Sequence, residues 1–388
     1  MAESFPLGAT VTVAQLHDDP HAVLAQLREH EPVSWLPALD GWLVTRYDLV
    51  VAALRDAAGF TVDDPRFSTS RIVGPSMLSL DGPEHARHRS PFVGPFRPRA
   101  VRDRFAAAVT DEAQRLVGEL AASGGGELRR GFAGPLSAAT AAQALGLDRD
   151  DTATLLGWYD AIVDSVNGMS TGDPPTEAGA AAYAALAARL AETIADDRAG
   201  ASLLAAAAAD AGLSSEQLCA NAAILLFGGI ETTEGMIANA LALLLSRRAD
   251  LRRARDTPAV LEAAIEESLR LEPASAALDR YAAADTELGG VRIACGDFVR
   301  LSLSAANRDP AVFADPDVYD LARTARGHLA FAQGPHVCVG VHLARLQARV
   351  ALTALLTQLP GLRLDPGGEH AISGLVFRKP ARLDCRWV

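Results

Sequence analysis

Residues 328–345 read HLAFAQGPHVCVGVHLAR, and this stretch decides the fold. Phe331, Gly334, Cys338 and Gly340 lie in it with the spacing F-x-x-G-x-x-x-C-x-G, directly before a helical pattern. Glycines allow the backbone to turn tightly and to approach a ligand closely. Backbone N–H groups at the start of a helix can stabilise a thiolate. The loop is therefore predicted to present the Cys338 sulfur to a ligand, with Phe331 shielding one side.

The other three cysteines have no such surroundings. Cys219, Cys295 and Cys385 lie in predicted helices or strands, where the commonest role of a free cysteine, a buried structural residue, is sufficient. The cysteines are widely spaced and include no C-x-x-C pair. The sequence therefore predicts neither a disulfide framework nor a zinc site.

The composition favours a cytoplasmic protein with a large core. The 388 residues are 49% hydrophobic and carry a net charge of −12. An acidic surface argues against nucleic acid or an anionic membrane as the main partner. The N-terminus lacks the basic and apolar regions of a signal peptide, and no long apolar run suggests a membrane anchor. Lys379 is the one lysine beside 35 arginines, a bias that we attribute to the genome's base composition rather than to mechanism.

Helical spacing of apolar residues dominates the chain, and short strand-like segments lie near its two ends. This distribution indicates a small mixed sheet that closes across a mostly helical body. Residues 1–388 are predicted to form a single domain, because no flexible linker or internal repeat is present. The clearest predicted helices span 100–122, 178–197, 216–247, 258–271 and 341–358, and the predicted strands are Val33–Leu36, Trp42–Thr45, Val291–Ile293, Phe298–Leu301 and Arg382–Trp387.

Residues 216–247 form the longest apolar pattern without proline. A helix of this length spans about 45 Å, and its apolar character on all sides predicts burial. Gly228 and Gly229 interrupt its centre at about 1 kcal/mol each and are followed by Glu231 and Thr232. A close crossing of two helices would explain the glycines. The alternative is a flat group pressed against the helix, with the carboxylate and hydroxyl doing proton chemistry. The expense of burying an unpaired glutamate favours this alternative.

With these features the sequence resembles the cytochrome P450 family. The cysteine loop resembles that family's haem-binding signature, and the glycine-centred helix resembles its oxygen-activating motif, (A/G)-G-x-(D/E)-T-T. Glu267-Ser-Leu-Arg270 is similar to the family's E-x-x-R pair, although such a pair alone is usually a surface ion pair. Arg323 matches the arginine that joins the pair in a structural triad. The segment from Glu84 to Arg89 is similar to the H-x-x-x-R of bacterial members.

The sequence departs from the family pattern at two positions. Ala332 stands where a second glycine usually follows Phe331. Alanine is tolerated there if its φ angle is negative, so the substitution leaves the expected haem binding in place. Tyr319 replaces a more usual phenylalanine before the triad arginine, which exchanges one aromatic ring for another.

The resemblance implies a mainly α structure, the cytochrome P450 fold, in which a helical triangular prism carries a small β-rich lobe. It also implies that haem b (iron protoporphyrin IX) lies between the long helix and the cysteine loop. Cys338 would be the metal ligand, and an anionic sulfur favours O–O cleavage. Phe331 and Gly340 would flank the sulfur. The residues that match the family's propionate ligands are His85, Arg89, Arg280 and His336.

The activity implied is that of a monooxygenase that inserts one oxygen atom from O2 into an organic substrate, by hydroxylation or epoxidation, in natural product metabolism. Thr232 would donate a hydrogen bond to dioxygen, and Glu231 would relay protons from solvent. No flavin or iron–sulfur domain is evident in the sequence. Electrons are therefore expected from a ferredoxin and an NAD(P)H-dependent ferredoxin reductase.

The segments that contact substrate in the family are almost entirely apolar in this chain, with Arg71 and Asp279 as flanking charges. This predicts an apolar, uncharged or weakly polar substrate, such as a terpenoid, polyketide or steroid-like compound. Some of these side chains could instead pack the core. The predicted substrate-binding residues are Ile72, Val73, Met77, Leu78, Ile224, Gly228, Ala277, Leu278, Val376 and Phe377.

Two other functions remain open at this point. A peroxygenase of the same fold would use hydrogen peroxide, but such enzymes generally lose the acid–alcohol pair, which is present here as Glu231 and Thr232. A haem sensor or electron carrier would not need proton-relay residues opposite the metal. Some family members also catalyse aryl coupling, nitration or desaturation.

Overall fold

The structure is a computed structural model that describes residues 4–148, 151–170, 173–196, 212–323 and 327–388. Helices form most of it. They are α1 (Val13–His17), α2 (His21–His30), α3 (Tyr47–Arg55), α4 (Ser70–Val73), α5 (Gly82–Val93), α6 (Pro98–Ala121), α7 (Gly134–Leu145), α8 (Thr152–Ser170), α9 (Glu177–Asp196), α10 (Ser215–Leu245), α11 (Arg248–Asp256), α12 (Pro258–Leu271), α13 (Leu303–Ala306) and α14 (Val341–Gln358), with a π-helical turn at Arg129–Ala133.

The strands are short and occur in several small sheets. They are β1 (Val33–Leu36), β2 (Gly41–Val44), β3 (Phe60–Thr61), β4 (Gly125–Glu127), β5 (Ala277–Ala282), β6 (Thr286–Leu288), β7 (Val291–Ile293), β8 (Phe298–Ser302), β9 (Arg363–Leu364), β10 (Ile372–Ser373), β11 (Lys379–Pro380) and β12 (Asp384–Arg386).

The predicted elements agree with this description to within three residues at each end. The helix predicted over 216–247 is α10, and the one predicted over 178–197 is α9, with residue 197 outside the described residues. The early and late strands meet as predicted in one five-stranded sheet of order β1-β2-β8-β5-β3. In this sheet β2 and β8 are parallel and the other pairs are antiparallel.

The 31-residue helix α10 is the centre of the molecule. Its first turn is fixed by a capping box, in which the Ser214 side chain accepts a hydrogen bond from the Gln217 N–H and the Gln217 side chain accepts one from the Ser214 N–H. Such caps satisfy donors that a helix start leaves unpaired. Beyond it, α10 packs against α7, α9, α12 and α14, which explains its burial on all sides. Among the described helices, none combines the length and apolarity needed to cross a bilayer.

A buried ion pair between Glu267 and Arg270 joins α12 to the segment that leads into the cysteine loop. The two side chains form paired hydrogen bonds of 2.7 and 2.9 Å and are essentially inaccessible to solvent. Arg323 adds a third contact, with its Nε 3.2 Å from a Glu267 carboxylate oxygen. Arg270 also donates to the carbonyl oxygens of Asn307 and Pro316. The pair is therefore a structural anchor rather than a surface contact.

We predict that Glu267→Ala lowers the free energy of unfolding by about 3–5 kcal/mol, because it leaves the buried Arg270 guanidinium without its carboxylate. The yield of haem-loaded protein should fall with it. The exposed pair of Arg99 and Asp103 supplies a matched control, Asp103→Ala, which should change stability by less than about 0.5 kcal/mol. Denaturant unfolding and the haem content of purified protein measure both effects. Equal stability of the two variants would contradict the anchoring role.

Candidate active site

A cavity of about 280 Å³ lies between α10 and the cysteine loop. Gly228 and Thr232 of α10 line one side of it, and Cys338 and Gly340 line the other. Most of the remaining lining is apolar, with Leu, Ile, Val, Phe, Met and Ala side chains. The glycine-centred part of α10 and the cysteine loop, which the sequence analysis singled out, therefore face each other across one cavity.

The loop holds the Cys338 side chain deep in the protein yet open to the cavity. The Cys338 N–H donates to the Phe331 carbonyl oxygen at 2.9 Å, and Gly340 is the N-cap residue of α14. Burial raises the pKa of the Cys338 thiol, while the Gly340 N–H and the cations Arg89 and Arg345 act in the opposite direction. The surroundings thus place a backbone N–H and two positive charges near a sulfur that is open to the cavity, which suits a thiolate that binds a metal.

The backbone at Ala332 is left-handed. Its φ angle is +58°, so the condition of a negative φ at this position is not met. The tight turn of the loop, in which the Ala332 N–H bonds to the Leu329 carbonyl oxygen at 2.8 Å, forces the left-handed conformation. A β-carbon there costs on the order of 1 kcal/mol. Gly334 has a stricter requirement, since a side chain on it would come within 2.3 Å of the Leu54 carbonyl oxygen of α3.

Two histidines lie together at the edge of the cavity. The rings of His85 and His336 are 4.2 Å apart, and His336 Nε2 lies 2.7 Å from Asp81 Oδ1. Burial opposes ionisation of Asp81, but bonds from His336, the Thr61 hydroxyl and the Val62 N–H hold its pKa at about 2. Desolvation, with the charges of His336 and Arg89, lowers the pKa of His85 to about 4. His85 Nε2 is buried and has no partner among the described residues.

Two arginines complete this edge. Arg280 is buried, its guanidinium donates to the Asp279 carbonyl oxygen at 2.8 Å, and within the described residues it forms no ion pair with a carboxylate. Desolvation lowers the pKa of Arg280, although Asp81 and Asp279 oppose this. Arg89 donates to the Val337 carbonyl oxygen. A buried cation without a counter-ion and an unpartnered ring nitrogen need an anionic group. The carboxylates of a haem fit this requirement.

The opposite wall of the cavity is formed by the middle of α10. A β-carbon added to Gly228 would have no atom within 4 Å, so no neighbouring helix requires a glycine there. At Gly229 an added β-carbon would make only an ordinary 3.5 Å contact with Ala141 of α7. The helix-crossing explanation therefore does not account for Gly228. Thr232 faces the cavity, and its hydroxyl donates to the Gly228 carbonyl oxygen at 2.6 Å.

Glu231 lies beside Thr232 in sequence but outside the cavity lining. Its buried carboxylate instead forms an ion pair of 2.8 Å with the Nζ atom of Lys379 in β11. The sequence analysis missed Lys379, whose single occurrence among arginines was the only available signal. It also missed Asp81, although this residue lies only three positions before the motif that begins at Glu84 and contains His85.

The structure brings half of the predicted substrate residues to the cavity. Met77, Leu78, Ile224, Gly228 and Leu278 line it. The other five lie outside the lining. Ala277 faces the opposite side of the sheet from Leu278, because side chains alternate along β5. Ile72 and Val73 pack against the hydrophobic core formed with α8 and α9. The Val376 carbonyl oxygen accepts a backbone hydrogen bond from Ala276, and the ring of Phe377 packs on that of Phe227 with 5.6 Å between the centroids.

The two charged residues that flank the predicted substrate segments, Arg71 and Asp279, have different surroundings. Arg71 is exposed and lies outside the cavity lining. Asp279 lines the cavity, but both of its carboxylate oxygens accept hydrogen bonds from the buried Arg300, at 2.8 and 3.0 Å. The negative charge of Asp279 is therefore already compensated.

The Cys338 loop lies opposite α10, which has the open space at Gly228. Between them, His85, Arg89, Arg280 and His336 form a cationic edge of the cavity that lacks an anion. This combination defines the site of a haem-thiolate protein. The family model described as "Cytochrome P450" matches residues 187–360. Nocardicin C N-oxygenase of Nocardia uniformis subsp. tsuyamanensis is 36% identical over 99% of this chain and 98% of its own. The chain belongs to the cytochrome P450 family. It is a haem-thiolate monooxygenase with haem b as its cofactor.

Two further comparisons agree with this assignment. Mycinamicin IV hydroxylase/epoxidase of Micromonospora griseorubida is 35% identical and covers 93% of this chain and 94% of its own. The solved structure of CxnD, a cytochrome P450 enzyme for C–S bond formation in chuangxinmycin biosynthesis, superposes with a TM-score of 0.87 at 31% identity. That comparison covers 97% of each chain. The whole chain, and not only the cysteine loop, therefore has the fold of the family.

Proposed function

We propose that this monooxygenase hydroxylates or epoxidises an apolar organic substrate of moderate size in natural product metabolism. The apolar lining of the cavity carries the proposal. The arginine, aspartate and histidine side chains at the lining are those of Arg89, Asp279, Arg280 and His336, of which Asp279 is compensated by Arg300 and the other three lie together at one edge of the cavity. The remaining surface favours burial of hydrocarbon at about 25 cal/mol per Å² and offers little to hold a substrate charge.

The relatives support a role in natural product metabolism. One carries the name of a nocardicin N-oxygenase and another that of a mycinamicin hydroxylase/epoxidase. The C–S bond formation named for CxnD illustrates that related chains also catalyse other oxidations. The Glu231–Thr232 pair favours a reaction driven by dioxygen over one driven by peroxide.

Each site residue has a proposed part. Cys338 supplies the sulfur ligand between Phe331 and Gly340, while His85, Arg89, Arg280 and His336 hold the two propionates. A haem with a thiolate ligand supplies the chemistry of dioxygen activation. Opposite it, the Thr232 hydroxyl is free to turn from the Gly228 carbonyl oxygen toward the cavity and to donate a hydrogen bond there. Glu231 supplies protons to that hydroxyl.

We further propose that residues 1–388 act as one cytoplasmic domain that receives electrons from a ferredoxin and an NAD(P)H-dependent ferredoxin reductase. The pairing of β2 with β8 joins the first and last parts of the chain in one sheet, which supports a single domain. Exposed Arg97 and Arg349 offer positive charge to an acidic ferredoxin, whereas Arg345 is already paired with Glu266 at 2.6 Å and Arg99 with Asp103 at 3.5 Å.

Thr232→Ala is expected to bind haem normally but to divert reducing equivalents to hydrogen peroxide or water. Glu231→Gln is expected to slow turnover by about 100-fold or more, as for a lost proton-transfer group. Thr140→Ala is a matched control, because the Thr140 hydroxyl bonds to the Leu136 carbonyl oxygen at 2.8 Å on α7 but lies outside the cavity lining. NADPH oxidation, oxygen uptake and peroxide formation measure these effects. Full coupling in both site variants would remove the relay from the proposal.

A ligand series matched in size tests the substrate class. Neutral steroids and macrolactones should shift the haem absorption band more strongly than analogues that carry a carboxylate or an amine, because the cavity has no uncompensated charge for them beyond the cationic edge. Titration of the absorption change gives the apparent Kd of each compound. Tight binding confined to amino acids or small acids would contradict the proposal.

A further inference from the structure

Lys379 occupies an unusual position for the only lysine of a chain with 36 basic residues. Its side chain is 16% exposed, and its Nζ atom lies 2.8 Å from Glu231 Oε2 and 3.8 Å from Glu234 Oε2. Because the two glutamates are three residues apart on α10, they present their carboxylates on one face of the helix. Lysine carries a compact ammonium on a flexible stem, whereas arginine forms a fixed, bidentate fork. One movable cation thus lies between two buried acids.

Glu234 has an acceptor available for that cation. Its side chain is completely buried, and its Oε1 accepts a hydrogen bond of 2.7 Å from Arg129 Nη1. Its Oε2, like Glu231 Oε2, has no hydrogen bond within the described residues, although Lys379 Nζ lies 3.8 Å and Arg130 Nη1 3.5 Å away. Burial raises the pKa of Glu234, while Lys379, Arg130 and Arg129 oppose this. A buried oxygen without a donor is costly, so an alternative position of the Lys379 ammonium at Glu234 Oε2 would be stabilised.

The backbone around the lysine is fixed. A β-carbon added to Gly235 would lie 3.0 Å from Ala274 and 3.5 Å from the β-carbon of Lys379, so α10 and β11 pack closely there. Arg129 Nε donates to the Ala381 carbonyl oxygen at 2.8 Å and ties the π-helical turn to the residues after β11. Movement of the ammonium between the two glutamates therefore needs only rotation of the lysine stem.

We propose that Lys379 is a positioning residue that controls the availability of the Glu231 carboxylate. Paired with Lys379, Glu231 is held outside the cavity that Thr232 lines. A turn of the ammonium toward Glu234 Oε2 frees Glu231 to approach Thr232, and the partly exposed lysine connects the buried acid to solvent. This inference rests on the proposed proton relay through Glu231 and Thr232.

Turnover of the haem-loaded enzyme is the first test. NADPH-driven oxygen reduction with a surrogate ferredoxin and reductase is measured without added organic substrate. Lys379→Met keeps the length of the stem and removes the charge. It should lower kcat for oxygen reduction by about tenfold, raise the share of peroxide and increase the solvent deuterium isotope effect. Lys379→Arg should recover part of the rate, and Arg382→Met, which removes an exposed cation of the same segment, should match the wild type.

The pH profile separates positioning from packing. The groups that face Lys379 are Glu231 and Glu234 from α10 and Arg129 and Arg130 from the π-helical turn. Two further carboxylates adjoin that turn. Asp160 forms an ion pair with Arg130, and Glu127 accepts hydrogen bonds from the backbone N–H groups of Arg129 and Arg130. Lys379 lowers the pKa of Glu234 against the effect of burial, so removal of the ammonium should raise it. The kcat profile of Lys379→Met should therefore change on its acid side, whereas a packing defect should lower kcat equally at every pH.

A second readout does not depend on turnover. An amine-selective acylating reagent can modify Nζ only at Lys379, so peptide mass spectrometry reports how firmly this one ammonium is held. Acylation should rise several-fold in Glu231→Gln, which removes the 2.8 Å partner. In Glu234→Gln it should not rise, because the lysine then stays on Glu231, while the peroxide share during oxygen reduction should increase.

The outcomes distinguish the inference from the function on which it rests. A defective Glu231→Gln combined with wild-type kcat, pH profile and peroxide share in Lys379→Met would overturn the role of Lys379 and leave the relay intact. A Glu231→Gln variant with wild-type turnover would overturn the relay and the inference with it. If Lys379→Met fails to fold, Lys379→Arg and the acylation rates decide, and equal acylation in the wild type and Glu231→Gln would contradict the proposal.

Discussion

The buried ion pair of Glu267 and Arg270 fixes the relation between the two halves of the active site. Glu267 belongs to α12, which packs against α10, while Arg270 and Arg323 bind carbonyl oxygens of the segment that runs toward the cysteine loop. The position of the Cys338 sulfur opposite Gly228 therefore depends on charges that lie away from the cavity. Burying such a pair is unfavourable unless its hydrogen bonds are complete. In this structure the backbone carbonyl oxygens of Asn307 and Pro316 accept the hydrogen bonds of Arg270 that Glu267 does not.

The electrostatic design of the site has two distinct parts. At the edge of the cavity, within the described residues, His85 Nε2 has no hydrogen-bond partner and the buried Arg280 forms no ion pair, and a haem's carboxylates would satisfy both. On the far side of α10, the charges of Glu231 and Glu234 are compensated by Lys379 and by the two arginines of the π-helical turn. The cavity itself stays apolar because Arg300 neutralises Asp279. Fixed charges therefore lie at the edge of the cavity, where they would hold the haem carboxylates, and behind α10, where they surround the proposed proton donor Glu231.

Much of the fold could be predicted from sequence because long apolar patterns and a specific loop motif carry local information. The bounds of α10, α12 and α14 follow from helical spacing, and the cysteine loop indicates its own turn geometry through Gly334.

The left-handed backbone at Ala332 could not be predicted, because the surrounding turn overrides the preference of alanine. Lys379 could not be found either, since its partner Glu231 is 148 positions away and only the tertiary fold brings them together. Five of the ten predicted substrate residues lie outside the cavity lining for a similar reason. Alternation along β5 sends Leu278 to the cavity and Ala277 away from it, and segment-level similarity does not resolve such neighbours.

The central claim is that Cys338, and no other cysteine, binds the haem iron as a thiolate. The absorption spectrum of the reduced enzyme under carbon monoxide tests it most directly, because a thiolate ligand shifts the main haem band far to the red of its position with a nitrogen ligand. The wild type and Cys295→Ala, which alters an exposed free cysteine, should both show the shifted band. Cys338→Ala should lose it. A shifted band that survives in Cys338→Ala would contradict the account.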